Sequence, residues 1–145
     1  VDKPLVYFLC TGNSCRSQMA EGFARLLGGD RWEVASAGIA PTSVNPRAAA
    51  VMAEAGVDIS DQTSKAIDRD LLHRAAVVVT LCGDAEEACP ATPPQVRRLH
   101  WPLRDPARAQ GDEAAVAAVF RSVRDEIRAR VAALLQEEAG GAGGR

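Results

Sequence analysis

Cys10 is followed by five residues and an arginine, in Cys10-Thr11-Gly12-Asn13-Ser14-Cys15-Arg16-Ser17, directly after the apolar run Leu5-Val6-Tyr7-Phe8-Leu9. A tight loop between a strand and a helix turns successive backbone N–H groups inward, and the helix N-terminus adds its positive dipole end. Arg16 supplies a planar fork of donors that holds two oxygens at once. Together these groups bind a tetrahedral oxyanion of the phosphate type, and the same donors favour a thiolate at Cys10 as the nucleophile. Gly12 is read as supplying a backbone conformation other residues resist, and Asn13 as holding the loop's shape through its amide. Ser17 either donates to the Cys10 thiolate or caps the following helix. Thr11, Ser14 and Cys15 complete the binding loop, with the Cys15 thiol read as packing against the helix. Cysteine and arginine at this spacing occur often by accident; strand, Gly, Asn and helix in register are what make the loop a site.

An oxygen leaves a tetrahedral oxyanion readily only when protonated. Asp105, in Trp101-Pro102-Leu103-Arg104-Asp105-Pro106, lies in a loop after the last strand and is the candidate acid. Two further thiols, Cys82 and Cys89, stand far down the chain in Leu81-Cys82-Gly83-Asp84-Ala85-Glu86-Glu87-Ala88-Cys89-Pro90. A simple hydrolase has no use for them, whereas a reductase does. The cysteine spacings do not match a zinc knuckle, and the two histidines lack ligand spacing, so no metal is expected. His73 is read as a helix-end residue and His100 as strand packing.

The elements that position these groups follow from apolar periodicity. Strands are expected at residues 5–9, 32–37, 75–81 and 96–101. Helices are expected at 17–27, 45–55, 67–74, 84–88 and 113–138. This alternation predicts a single-domain α/β fold with a four-stranded, mainly parallel sheet flanked by helices. Such sheets bind ligands at the carboxyl ends of their strands, where Cys10, Cys82 and Asp105 all fall. The 145 residues suit one domain, read as 1–139, with 140–145 a flexible tail. A net charge of −2 argues against nucleic acid, and no apolar run reaches the ~20 residues of a membrane span. A cytoplasmic monomer is expected.

These residues resemble the low-molecular-weight tyrosine phosphatase fold and, within it, the thioredoxin-coupled arsenate reductases. The marks are the loop from Cys10 on through Gln18-Met19-Ala20-Glu21-Gly22, then Ser36-Ala37-Gly38, Thr80-Leu81-Cys82-Gly83, Cys89-Pro90, Trp101-Pro102 and Asp105-Pro106. The loop fits either branch, while Cys82 and Cys89 match the reductases. Asp105-Pro106 is followed by Ala107, where the phosphatases usually place an aromatic to wall a phosphotyrosine ring. The resemblance implies that Cys10 attacks arsenate while Asp105 protonates the departing oxygen. Cys82 then attacks the sulfur of the adduct, releasing arsenite and forming a Cys10–Cys82 disulfide. Cys89 next takes over Cys82, and thioredoxin reduces the final bridge, with no tightly bound cofactor. It also implies a potassium site at Asn13, Glu21 and Ser36, where the relatives' fourth ligand, an Asp, is here Lys65; a lysine ammonium in the ion's place predicts weak or absent potassium dependence. If 82–89 were a regular helix, seven steps of ~1.5 Å would part the two Cα atoms by about 10 Å. A disulfide tolerates at most about 7 Å, so the segment must unwind on oxidation. Two alternatives stay open: a phosphatase hydrolysing phosphomonoesters through a Cys10 phosphocysteine, and a thiol redox sensor.

Overall fold

The computed structural model describes residues 3–143. Four strands, β1 (Leu5–Cys10), β2 (Glu33–Gly38), β3 (Val77–Thr80) and β4 (Arg97–His100), form one sheet in the order β2-β1-β3-β4. All three pairings are parallel, so the sheet is parallel throughout rather than mainly so. The helices are α1 (Arg16–Gly28), α2 (Pro46–Glu54), α3 (Arg69–Arg74), α4 (Gly83–Ala88) and α5 (Glu113–Gly143). A 3₁₀ turn at Pro106–Arg108, which no apolar period announces, follows Asp105.

The two central strands carry apolar side chains on both faces because helices cover both faces of a parallel sheet. Every residue of β1 and of β3 is buried. Phe8, Leu9, Val77, Val78 and Val79 join Phe23 of α1 and Phe120, Ile127 and Val131 of α5 in one core. Local chemistry fixes the helix starts. Asn45 caps α2 by accepting from the Arg47 N–H, with Pro46 in the first turn, and Asp68 caps α3 through the N–H groups of Asp70 and Leu71. β4 is different: it is the sheet edge and its residues are exposed or half-buried. His100, expected to pack within the strand, is exposed there.

The final helix runs through Gly143, past the end at 138 that its apolar period marks. Residues 140–143 of the expected tail are therefore helical, and 144–145 lie outside the described residues. The parallel register brings Cys10, the end of β1, and the residues after Thr80 of β3 to the same edge of the sheet.

Candidate active site

Cys10 ends β1, Arg16 begins α1, and residues 11–15 wrap between them. Cys10 Sγ lies 2.8 Å from Ser17 Oγ. Asn13 Nδ2 donates to that same Ser17 oxygen at 2.7 Å and to Ser36 Oγ at 2.9 Å. With its oxygen already accepting from Asn13, the Ser17 hydroxyl is set to give its own hydrogen to the Cys10 sulfur. The alternative role for Ser17 falls away: it lies inside α1, whose N-cap is Cys15 with no side-chain cap.

Asn13 is the keystone of the loop. It is fully buried and has φ of 48°, the left-handed region that Asn tolerates better than most residues. Its carbonyl accepts from Gln18 Nε2 at 3.0 Å and Ser64 Oγ at 2.7 Å, and its side-chain oxygen accepts from the Lys65 N–H at 2.9 Å. The special conformation expected of Gly12 thus belongs to Asn13. Gly12 instead lies close under Thr42, whose Oγ1 would stand 3.3 Å from an added Cβ. Gly38, at the end of β2, is required more strictly: a Cβ there would stand 2.7 Å from both Asn13 N and Thr11 O.

A pocket of about 180 Å³ opens over the loop, with Cys10 and Arg16 on its wall and Asp105 and Ala107 facing them. That volume and lining suit a small tetrahedral anion and carry no aromatic ring. Arg16 Nη1 donates to the carbonyls of Leu81 at 3.3 Å and Leu103 at 3.1 Å, and Nη2 lies 3.6 Å from Asp105 Oδ2. One guanidinium therefore ties together the residue preceding Cys82 and the loop carrying Asp105. Its Nε is buried without a partner, leaving that N–H for an anion. Asp105 Oδ1 accepts from the Ala107 N–H at 3.0 Å, and Oδ2 is the oxygen turned toward Arg16.

Cys82 is buried beside this pocket, its Sγ 3.1 Å from Thr11 Oγ1 and 3.4 Å from the Ala85 N–H at the start of α4. A second cleft of about 310 Å³, lined by Cys82, Asp84 and Arg108, shares Thr11, Arg16 and Asp105 with the first. The structure thus brings Cys10, Cys82, Arg16 and Asp105 together. Cys89 stands apart, at the far end of α4 and half-buried. Burial pushes its thiol up from the ordinary range, against the opposing pull of Arg98. Burial also pushes Cys15 up to about 11, which keeps it a neutral packing group. All four cysteines are free.

Beneath the loop, Ser36 donates to Glu21 Oε1 at 2.5 Å, Arg25 meets Oε2 at 2.7 Å, and Lys65 Nζ lies 3.9 Å from Oε1 while donating to the Thr63 carbonyl. The oxygens of the expected potassium set are already engaged by protein donors, and two cations already face Glu21. These residues do not fit a bound potassium ion. Sequence reasoning missed the Thr11 contact to Cys82, the Leu81 and Leu103 carbonyls, and the Gln18 and Ser64 supports. Apart from Gln18, which reaches Asn13 across five residues, these contacts join segments far apart in the chain, and no local signal identifies them.

The fold and this site define a family. The low molecular weight phosphotyrosine protein phosphatase family matches over residues 5–139, and the chain belongs to it. Within that family, the chain is 57% identical over 131 residues to an arsenate reductase of Bacillus licheniformis, covering 90% of this chain and 94% of that one. It is 58% identical over 127 residues to an arsenate reductase of Bacillus subtilis, covering 88% and 91%. Among solved structures, a thioredoxin-dependent arsenate reductase of Corynebacterium glutamicum superposes with a TM-score of 0.76 at 29% identity, covering 93% of this chain and 61% of that one.

Proposed function

We propose that this protein is an arsenate reductase that uses Cys10, Cys82 and Cys89 in turn, with reduced thioredoxin as the electron donor. The observation that carries the reading is the Cys82 thiol in the cleft adjoining the oxyanion pocket, 3.1 Å from Thr11 of the loop, with Arg16 donating to the Leu81 carbonyl just before it. Arsenate binds in the loop of Thr11, Gly12, Asn13, Ser14, Cys15 and Arg16, with the Arg16 Nε–H directed to it. Cys10, supported by the Ser17 hydroxyl, forms the S–As bond while Asp105 gives a proton to the oxygen that leaves as water. Cys82 thiolate then attacks Cys10 Sγ. The S–As bond breaks with its electron pair remaining on arsenic, which departs as arsenite, and the Cys10–Cys82 disulfide is left. Cys89 attacks Cys82, Cys10 leaves as thiolate, and thioredoxin reduces the Cys82–Cys89 bridge.

The helix between Cys82 and Cys89 must unwind for the last bridge, which presents it to thioredoxin. A reducing compartment is needed to supply that donor, which favours the cytoplasm, and the unit is taken as a monomer built on the domain 1–139. Arsenate-dependent NADPH consumption with thioredoxin and its reductase tests the reading. Wild type is expected to turn over, and Cys10→Ser, Cys82→Ser and Cys89→Ser are each expected to stop. Phosphomonoester hydrolysis should survive Cys89→Ser. Wild-type turnover retained in Cys89→Ser would overturn the relay. The phosphatase alternative is less well supported, because Ala107 offers no ring wall to an aryl phosphate. Lys65 takes the role of the potassium ion. Potassium is expected to leave rate and Tm unchanged at matched ionic strength, and a several-fold activation would refute the assignment.

A further inference from the structure

The unwinding of α4 is opposed by contacts that the relay itself does not use. α4 buries a single side chain, Ala85, so apolar packing alone holds it weakly. Its remaining attachments lead to β3 and the sheet edge. Thr80 Oγ1 donates to Glu86 Oε2 at 2.7 Å and lies 2.9 Å from His100 Nδ1. A threonine hydroxyl has one hydrogen, and here it is committed to the carboxylate. His100 Nδ1 therefore carries the proton in its own contact and donates to Thr80. Two residues before His100, on the same face of β4, Arg98 Nη1 donates to the Pro90 carbonyl at 3.3 Å. The charge of Arg98 favours the Cys89 thiolate, and the Glu86 carboxylate opposes it.

We propose that Thr80 and β4 form a two-point clasp on the redox segment, Thr80 with His100 on Glu86 and Arg98 on Pro90, and that its release sets the rate of the second thiol exchange. The inference rests on the three-cysteine relay above. In that exchange the Cys89 proton goes to solvent and its thiolate attacks Cys82 Sγ of the Cys10–Cys82 bridge. The Cys82–Cys89 bond forms, the Cys10–Cys82 bond breaks, and Cys10 leaves with the electron pair. No outside oxidant enters. Cys89 cannot reach Cys82 while α4 remains helical, so the Glu86 contact must part first. Glu86 and Thr80 are positioning residues, since neither touches arsenate nor a reacting sulfur.

The experiment is a single turnover on the full chain: reduced protein is mixed with arsenate, quenched in acid, alkylated and mapped for each disulfide over time. In Glu86→Ala and Thr80→Val, the Cys82–Cys89 bridge is expected to appear about fivefold faster, the rate equivalent of one hydrogen bond of about 1 kcal/mol. Formation of Cys10–Cys82 and the KM for arsenate should not change. Alanine favours helix, so its own propensity acts against this result. Glu86→Gln keeps an acceptor oxygen and is expected to stay within about twofold of wild type. Hydrogen exchange over 83–89 in the reduced variants, with no arsenate present, should quicken in parallel. Unchanged exchange and an unchanged second step in both variants would overturn the clasp. Absence of any arsenate-driven bridge in wild type would overturn the relay and the rate claim with it, while the exchange data still judge the clasp.

Discussion

The oxyanion loop and the redox segment sit at the same edge of one sheet and are built in opposite ways. The loop is over-determined. Asn13 alone engages Ser17, Ser36, Gln18, Ser64 and Lys65, and Gly38 lets β2 press against its backbone. The segment carrying Cys82 and Cys89 is a six-residue helix with one buried side chain and exposed acids. Attack on arsenic needs donors fixed before the anion arrives, because they then reorganise little during the reaction. Joining two cysteines whose Cα atoms a regular helix would hold about 10 Å apart needs a backbone that comes undone cheaply. One fold edge supplies both because rigidity and looseness are set by different residues.

The sharpest break in this comparison is catalytic. Cys10→Ser is expected to lower both arsenate turnover and phosphomonoester hydrolysis by at least ~10³-fold, and Arg16→Lys by ~10²-fold, since a lysine cannot span the Leu81 and Leu103 carbonyls while serving an anion. Steady-state rates on the two substrates measure this, and a Cys10→Ser variant hydrolysing phosphomonoesters at the wild-type rate would contradict it. Damage to the segment, by contrast, should spare the hydrolysis.

Next in size is the loop's own stability. Asn13→Ala loses the amide bonds and must hold a left-handed backbone, an expected cost of about 3 kcal/mol. Asn13→Gly relieves the backbone strain and should recover roughly 1 kcal/mol of that. Urea denaturation separates the two, and equal midpoints would show that the left-handed conformation carries no cost here.

Cys15 adds a pH signature to the rigid region. Its folded thiol, at about 11 against an ordinary 9.0, favours the neutral form. Its contribution is complete below the unfolded value and is lost as pH rises through the folded one. Wild type should therefore lose about 2–3 kcal/mol of its advantage over Cys15→Ala between roughly pH 9 and pH 11. Urea midpoints of both proteins across that range measure it, and parallel curves would refute it.

The smallest effect is expected in the loose region. A Cβ at Gly83 meets nothing within 4 Å, so Gly83→Ala is accommodated and favours the helix by roughly 0.5–1 kcal/mol. Stability should rise slightly while formation of the Cys82–Cys89 bridge slows by about two- to fivefold. A faster bridge would mean that unwinding does not limit it.

Much of this was legible from residue order. The nucleophile, the arginine and the helix dipole lie within eight consecutive residues, so their register is local and a strand–loop–helix reading places them. Cys82 and Asp105 follow strands, and a parallel sheet sends strand ends to one edge. The contacts that join them were not legible. Thr11 meets Cys82 across 71 positions, and Arg16 meets Leu103 across 87, through register and loop paths that no local pattern encodes. Residue order points to Gly12 for the backbone conformation other residues resist, because glycine is the default there, yet Asn13, which tolerates the left-handed region, is the residue that adopts it. His100, inside the strand expected over 96–101, reads as strand packing, but β4 is the sheet edge and leaves it exposed. The last helix continues past its apolar period to Gly143, through glycines that disfavour helix, so nothing in the residue pattern announces its end.

The strand order places the three sulfurs in a line from the middle of the molecule to its rim. Cys10 ends β1, which has a partner strand on each side, Cys82 follows its neighbour β3, and Cys89 precedes Pro90, whose carbonyl accepts from Arg98 of the outermost strand. In the proposed relay the second exchange therefore moves the bridge one lane outward and restores the innermost thiol. A bulky protein donor needs access only to the periphery, and the anion pocket stands ready for another arsenate before the outer bridge has been cleared.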